Sequence, residues 1–262
     1  MEGKEGRVSN AVALIPSYWA SVSGGKDSLY MLYLILNNLD KYKLDGVIHF
    51  ELEIDYPFIK NVIDYMQSEC EKHGIKFVRI KPRNTWEDLY KKYNFPTRIS
   101  RWCNSKYKLD AKRQLVEYMK SLGYSTYFYI GYCKDEVNRY EKRNILQEIY
   151  PLVDANVVER DVWEWAKQQP IFNDYYKYNK RCGCMYCPMS NYLNLAYLYK
   201  YYPKNFEYMI SKMRESEKIV SNKLGRTFAI KSDNPKYNAD YVEQIVKTKW
   251  IKKLNKIKNS QT

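Results

Sequence analysis

A hexapeptide constrains this chain more than any other feature: Ser23, Gly24, Gly25, Lys26, Asp27 and Ser28 run together between a short apolar stretch and a helical repeat. Residues 18–22 read as a buried strand. Leu29, Leu32, Tyr33 and Leu36 recur at helical spacing, which predicts a helix from near Ser28. Two glycines at such a strand-to-helix turn remove β-carbons, so that backbone N–H groups can crowd around an anion. The helix adds its own unpaired N–H groups and positive dipole end at the same point. Lys26 brings a full charge, and Ser23 and Ser28 bring hydroxyl donors. The expected guest is a pyrophosphate. The spacing is neither the G-x-x-x-x-G-K-[ST] loop of ordinary NTPases nor the G-x-G-x-x-G of dinucleotide readers.

The same strand-helix rhythm continues. Residues 46–52 and 76–80 read as strands, separated by a helical face of Ile59, Val62, Ile63, Met66 and Cys70 that stops at Gly74. Ala111, Leu115, Val116, Met119 and Leu122 form another face, ended by Gly123 and followed by a tyrosine-rich strand at 124–130. This alternation predicts right-handed βαβ units and an α/β fold with a mostly parallel, Rossmann-like sheet. Beyond Pro151 the character changes. Asp161 and Glu164 have capping-box spacing for a helix at 162–169, and further helices are expected at 191–202, 206–224 and 240–257. The division is placed near residue 160: a nucleotide-binding α/β domain over 1–160 and a helical, cysteine-containing part over 161–262.

Lys and Arg outnumber Asp and Glu by 44 to 30, giving a net charge of +14. Such a balance favours a polyanionic partner, RNA or DNA, and equally describes a lysine-rich solvated surface. No apolar run approaches the roughly 20 residues of a membrane span, and the first ten residues lack the pattern of a secretory signal. A soluble, cytoplasmic protein is expected. Cys182, Cys184 and Cys187 fall within six residues, whereas Cys70, Cys103 and Cys133 are scattered. In a reducing compartment this spacing points to a metal centre, Zn²⁺ or an iron–sulfur cluster, in preference to disulfides. With only His49 and His73 in the chain, histidine ligation is not expected. Cys70, on an apolar helix face, is expected to be core. The tyrosines at 175, 176, 178, 197, 199, 201 and 202 are expected to pack more than to stack on bases. The basic 247–258 segment reads as a solvated amphipathic helix around Trp250, Ile251 and Leu254.

SGGKDS, the segment ELEIDYP at 51–57, RWCNSKYK at 101–108, GYCKDEVNR at 131–139, YPLVD at 150–154 and GCMYCP at 183–188 occur in that order. Together they resemble the PP-loop superfamily (adenine nucleotide alpha hydrolase-like), and within it the phosphoadenosine phosphosulfate reductase-like family, over about residues 18–190. The resemblance implies an ATP site. Such enzymes cleave ATP between its α and β phosphates, adenylate an oxygen and release pyrophosphate, mainly by positioning and neutralising the leaving group. It implies that residues 23–28 hold the triphosphate end, with Asp27 helping to place Mg²⁺. It further implies that Arg101 and Lys108 contact phosphate or substrate anions, and that Asp135, Glu136 and Arg139 belong to the nucleotide site. Cys103 would join Cys182, Cys184 and Cys187 as a metal ligand, with a 4Fe–4S cluster favoured over zinc.

Several positions depart from the family pattern. Glu51, Leu52 and Glu53 stand where Asp-Thr-Gly is usual, Cys133 replaces an Arg, and Val137 replaces a Ser. No Cys follows Cys187, where reductases of the family carry a nucleophilic thiol, and the Lys26-Asp27 pair that reductases tend to lose is kept. The favoured expectation is therefore ATP-dependent adenylation serving sulfur transfer to a nucleic acid or small molecule, with a sulfur-donor protein as a further partner. The alternatives are an adenylyl-sulfate reductase and a non-enzymatic nucleotide- or nucleic-acid-binding module with a zinc clip. The sequence leaves the oligomeric state open.

Overall fold

The computed structural model describes residues 14–141, 147–224, 228–231 and 235–259; the N-terminal ten residues read above for a signal lie outside them. The first strand, β1 (Ile15–Val22), runs into α1 (Lys26–Leu36), and β2 (Gly46–Phe50) into α2 (Pro57–Lys72). Then follow β3 (Phe77–Ile80), α3 (Trp86–Tyr93), a π-helical turn at Cys103–Lys108, α4 (Leu109–Ser121) and β4 (Tyr124–Tyr129). A short α5 (Val137–Tyr140) precedes β5 (Glu148–Ile149), α6 (Pro151–Asp154) and α7 (Glu159–Ala166). After a 3₁₀ turn at Asp174–Lys177 the chain is helical: α8 (Tyr192–Tyr201), α9 (Pro203–Leu224), α10 (Ala239–Ile245) and α11 (Ile251–Asn259), the last two joined by a π turn at Val246–Trp250.

All five strands are parallel, in the order β3-β2-β1-β4-β5. Alternate residues of each strand serve opposite faces, as a pleated sheet requires. Ala20, Val22 and Val47 join α1 and α2 on one face. Trp19, Ile48, Phe50 and Phe128 meet Ala111, Leu115 and Met119 of α4 on the other. The chain is thus an α/β protein with helices on both sheet faces. The larger cluster continues past residue 160 into α8, α9 and α10.

The strands expected from sequence are present with ends shifted by one to three residues. The expected α2 face of Ile59, Val62, Ile63, Met66 and Cys70 is buried throughout, and Gly74 and Gly123 end their helices at positive φ. Four readings need correction. Helix α1 begins at Lys26, two residues early, and Tyr33 is exposed while Met31 and Ile35 take the core positions. Leu122 lies beyond α4 and is exposed. Helix α7 begins at Glu159, so Asp161 sits in its first turn, accepting the Val158 amide, and does not precede the helix. Helix α9 starts at Pro203, where proline's missing N–H is no loss.

Tyr175, Tyr176, Tyr178 and Tyr197 are buried and meet edge-on or tilted, as packed rings do. Helix α11 buries Leu254 while its lysines face solvent, the expected amphipathic pattern. Among the described residues no helix is long and apolar enough to cross a membrane.

Candidate functional site

The strand order reverses between β1 and β4, and their carboxyl ends open the crevice where open α/β sheets take ligands. The hexapeptide fills the β1 exit. Gly24 has φ +73°, a left-handed conformation that a β-carbon strains, and a β-carbon there would stand 2.9 Å from Ile59 Cγ2 on α2. Ser28 ties the turn together: its hydroxyl donates to the Gly25 carbonyl at 2.9 Å and accepts the Ser23 amide at 3.2 Å. The Gly25 amide donates to Ser23 Oγ at 3.4 Å. Opposite, Gly131 follows β4, and a β-carbon on it would lie 2.8 Å from the Asp27 carbonyl oxygen. Only a glycine lets the β4 exit come this close to the start of α1.

Lys26 has partners of its own within the protein. Its backbone amide donates to the Tyr176 hydroxyl at 2.9 Å. Its ammonium does not stand free at the loop mouth; it is buried, 2.5 Å from Asp27 Oδ1, 3.3 Å from Glu159 Oε1 and 5.4 Å from the Trp163 ring centre. Burial raises the Asp27 pKa, with nearby Glu136 and Glu159 adding to the rise and Lys26 opposing it.

Asp135, Glu136 and Arg139 converge on this point. Glu136, buried, accepts from Arg139 Nη1 at 2.7 Å and Arg181 Nη2 at 2.5 Å, while its other oxygen takes the Cys133 amide at 3.2 Å. Asp135 is exposed and accepts the Glu159 amide at 3.1 Å, fixing the start of α7 beside the loop. Cys133 lies fully buried next to Asp27 and Glu136, and desolvation pushes its thiol up to about 12.

A cleft of about 130 Å³ adjoins the loop, lined by His49, Glu51, Leu52, Asp55 and Arg79 and floored by Ile59 and Ile63, the residues packed under Gly24. His49 Nδ1 lies 3.0 Å from the Val22 carbonyl oxygen, so that nitrogen carries the proton of the neutral ring. Burial lowers its pKa, helped by Arg79 and Lys108. Asp55 is half-buried, and desolvation pushes its carboxyl up to about 6 against the pull of Lys108.

The turn at 51–57 is shared. Met185, inside the cysteine segment, donates its amide to the Ile54 carbonyl at 2.8 Å. Cys103, Cys182, Cys184 and Cys187 are all half-buried free thiols. The Cys184 thiol hydrogen-bonds Cys187 and feels Cys103, which in turn feels Cys187. That bond from Cys184 holds the Cys187 thiol below its usual value, with Lys231 and Arg101 adding to the effect. Burial pushes Cys103 up to about 11. The charges acting on Cys182 are Asp55 and Lys108, and Tyr56 feels both Cys182 and Cys184 while Tyr175 feels both Cys182 and Cys187. Among the described residues no group of three or more His, Cys, Asp and Glu is arranged to hold a single metal ion. Arg101 and Lys108 flank the π turn that carries Cys103, exposed, and belong to the cysteine side and the cleft rather than to the loop.

A family model, the phosphoadenosine phosphosulfate reductase domain, matches residues 17–190, two thirds of the chain. The chain belongs to this family. The matched span of the phosphosulfate reductase domain holds the glycine loop, the β4 exit and all four clustered cysteines. Two uncharacterized proteins of Methanocaldococcus jannaschii, MJ0973 and MJ0066, are each 28% identical to it over 206 and 208 residues. These alignments cover 74% of this chain but 47% and 40% of the relatives, so the chain spans less than half the length of the curated proteins it matches. Among solved structures, the U34-tRNA thiolase NcsA of Methanococcus maripaludis with its 4Fe–4S cluster is 19% identical, with a TM-score of 0.38 over 82% of this chain and 75% of its own. A phosphoadenylyl-sulfate reductase from Candida auris in complex with phosphate is 16% identical, with a TM-score of 0.39 over 60% and 75%.

Glu159, Arg181 and Lys231 stand at these candidate sites and were not singled out from sequence, whereas Gly131 and Asp55 lay inside quoted motifs and His49 and Tyr176 were considered only for other roles. Arg181, beside Cys182, and Gly131, at the end of a strand, carried usable positional signals. Glu159 and Tyr176 carried none, because they reach the loop only through tertiary packing.

Proposed function

We propose that this protein binds ATP with its triphosphate end on residues 23–28 and cleaves it to AMP and pyrophosphate. In doing so it adenylates an oxygen of a nucleic-acid substrate that is then replaced by sulfur. The observation carrying this reading is the convergence, at the exits of β1 and β4, of the Gly24 turn with Asp27, Glu136 and Arg181. Backbone amides at the start of α1 and the Ser23 and Ser28 hydroxyls orient the pyrophosphate. The cleft at His49, Glu51 and Asp55 takes the nucleoside. Arg181 and Arg139, held by Glu136, set positive charge beside the leaving group. Mg²⁺ fits Asp27, because this ion is held by one or two carboxylates plus substrate phosphates and needs no all-protein cage; when bound it neutralises phosphate charge.

The cysteines fit a metal group on two observations. Thiolates are soft donors suited to iron–sulfur or zinc, and Arg101, Lys231 and Lys108 surround them with positive charge that offsets such a centre. Cys103, Cys184 and Cys187 would hold the group, a cluster in preference to a zinc clip. A cluster there supplies iron with affinity for the sulfur in transit. The Met185–Ile54 bond sets this centre beside the nucleotide cleft. Net charge of +14 supports a polyanionic substrate; hydrosulfide supplied by a sulfur-donor protein attacks the adenylated carbon, the C–S bond forming as the C–O bond to AMP breaks.

Labelled ATP with Mg²⁺ and bulk RNA tests the reading. AMP and pyrophosphate are the expected products, lost in Asp27→Asn. Release of ADP and phosphate, or undiminished turnover in Asp27→Asn, overturns it.

A further inference from the structure

Six lysines and no acidic residue lie between Gln244 and Asn259, and all six side chains are exposed. Lys247 pairs with Glu243; among the described residues no carboxylate pairs with Lys249, Lys252, Lys253, Lys256 or Lys258. A helix face that is merely solvated mixes both signs, as α2 does with Lys60–Asp64 and Lys72–Glu69. Here Lys249, Lys252 and Lys256 fall at i, i+3 and i+7, along one side of α11 and the turn before it. Like charges at such spacing destabilise a helix, so the stripe is unfavourable unless an anion lies along it.

The opposite side of α11 is already occupied. Leu254 is fully buried, and Trp250, Ile251 and Ile257 pack against the core beside α8. That leaves no apolar surface to enter a bilayer, which an interfacial basic helix requires. What accompanies the charge is aromatic. Trp250 is half-buried and stacked on Tyr192 with ring centres 5.7 Å apart, and Lys253 Nζ stands 4.8 Å from the Trp250 ring centre. On α8, Lys200 donates to Asn255 of α11 at 2.5 Å and lies 5.4 Å from the ring centre of Tyr201, which is 39% exposed. Lysines alternating with accessible rings suit a single strand, whose phosphates meet the charge and whose bases stack. This face also adjoins the site: the Tyr201 ring meets Tyr197 at 4.5 Å, and Tyr197 meets Tyr56, which lines the cleft, at 6.0 Å.

We propose that α11, with Lys200 and Tyr201 of α8, is the surface that binds the phosphate backbone of an unpaired nucleic-acid strand and leads it to the cleft. The surface lies outside the span matched by the family, residues 17–190. It rests on the nucleic-acid half of the function proposed above and gives the C-terminal helices the task of substrate capture.

The test titrates the full chain into a fluorescein-labelled single-stranded RNA, followed by anisotropy at several salt concentrations. Lys249→Gln/Lys252→Gln/Lys256→Gln is compared with wild type, with Arg at the same three positions, and with Lys91→Gln/Lys92→Gln/Lys120→Gln, which removes equal exposed charge from α3 and α4. The first variant is expected to bind about tenfold more weakly at physiological salt, with a salt slope shallower by about 2. The other two stay near wild type. Tyr201→Ala is expected to lose about fivefold with an unchanged slope. Should the first variant fail to fold by circular dichroism, the Tyr201→Ala affinity decides. Equal affinity in both glutamine triples overturns the inference, as does binding to phosphatidylserine vesicles that the first variant loses while its RNA affinity holds. ATP cleavage is read separately. AMP and pyrophosphate from a wild type whose RNA binding ignores α11 remove the surface and leave the ATP reading intact; weakened binding in the first variant, with no AMP from wild type, does the reverse.

Discussion

The backbone amide of Lys26 donates to the Tyr176 hydroxyl at 2.9 Å, joining residues 150 positions apart. One of the first-turn amides of α1 is thereby already engaged before any ligand arrives, and the rim of the glycine loop leans on the segment that leads into the cysteines. Tyr176 is buried, so its hydroxyl has no water to fall back on. Tyr176→Phe leaves the Lys26 amide without an acceptor and is expected to lower stability by about 1–3 kcal/mol. Urea unfolding measures this, and calorimetry with ATP should show weaker binding.

Gly131 and Gly24 are expected to be intolerant for different reasons. Gly131→Ala drives a methyl against the Asp27 carbonyl oxygen, a backbone atom that cannot swing aside. Gly24→Ala adds left-handed strain to a contact with Ile59, whose side chain can give somewhat. Strain of this kind costs on the order of 1–3 kcal/mol. Loss of ATP binding should be steeper for Gly131→Ala, read by calorimetry on protein confirmed as folded by circular dichroism.

His49 sets an acid limit. Its pKa is lowered in the folded state, so as pH falls below 6.5 the unfolded chain takes up a proton that the folded chain refuses. Its contribution is complete above 6.5 and is lost progressively as pH drops toward the folded value. The groups opposing protonation are Arg79 and Lys108, and those favouring it are the Val22 carbonyl and Glu51. His49→Gln should flatten the dependence of melting temperature on pH below 6.5. An unchanged slope would show that the ring titrates freely.

The cysteines are expected to divide three to one. Cys103→Ala, Cys184→Ala and Cys187→Ala should each abolish bound metal, since these thiols act on one another. Cys182→Ala, whose charged neighbours are Asp55 and Lys108, should retain most of it. Iron and zinc content after anaerobic purification distinguishes the four variants. Equal loss from all four would make Cys182 a full ligand.

The chain announces its nucleotide loop locally and hides the partners of that loop. Residues 23–28 were legible because a strand, two glycines and a helix repeat lie side by side in sequence. The two-residue β5 was not, being too short for any alternation. Helix α3 was missed although Thr85 and Asp88 form a capping box at its start, because a single cap without a long apolar repeat is easily passed over. The partners of Lys26 were hidden for a deeper reason. Its charge reads as phosphate-directed, and that it also lies against Glu159, 133 positions later, is visible only in the fold. Asp135 likewise reads as a ligand group, yet its carboxylate holds the first amide of α7.

The amide bond from Met185 to Ile54 has an energetic corollary. It ties the thiol-bearing loop to Ile54, next to Asp55 of the cleft, so that a shift of one strains the other, and coupling of occupancy between the two acts by the same factor in both directions. Charging the protein with metal should therefore retune its grip on ATP, and ATP should retune how tightly the metal is kept.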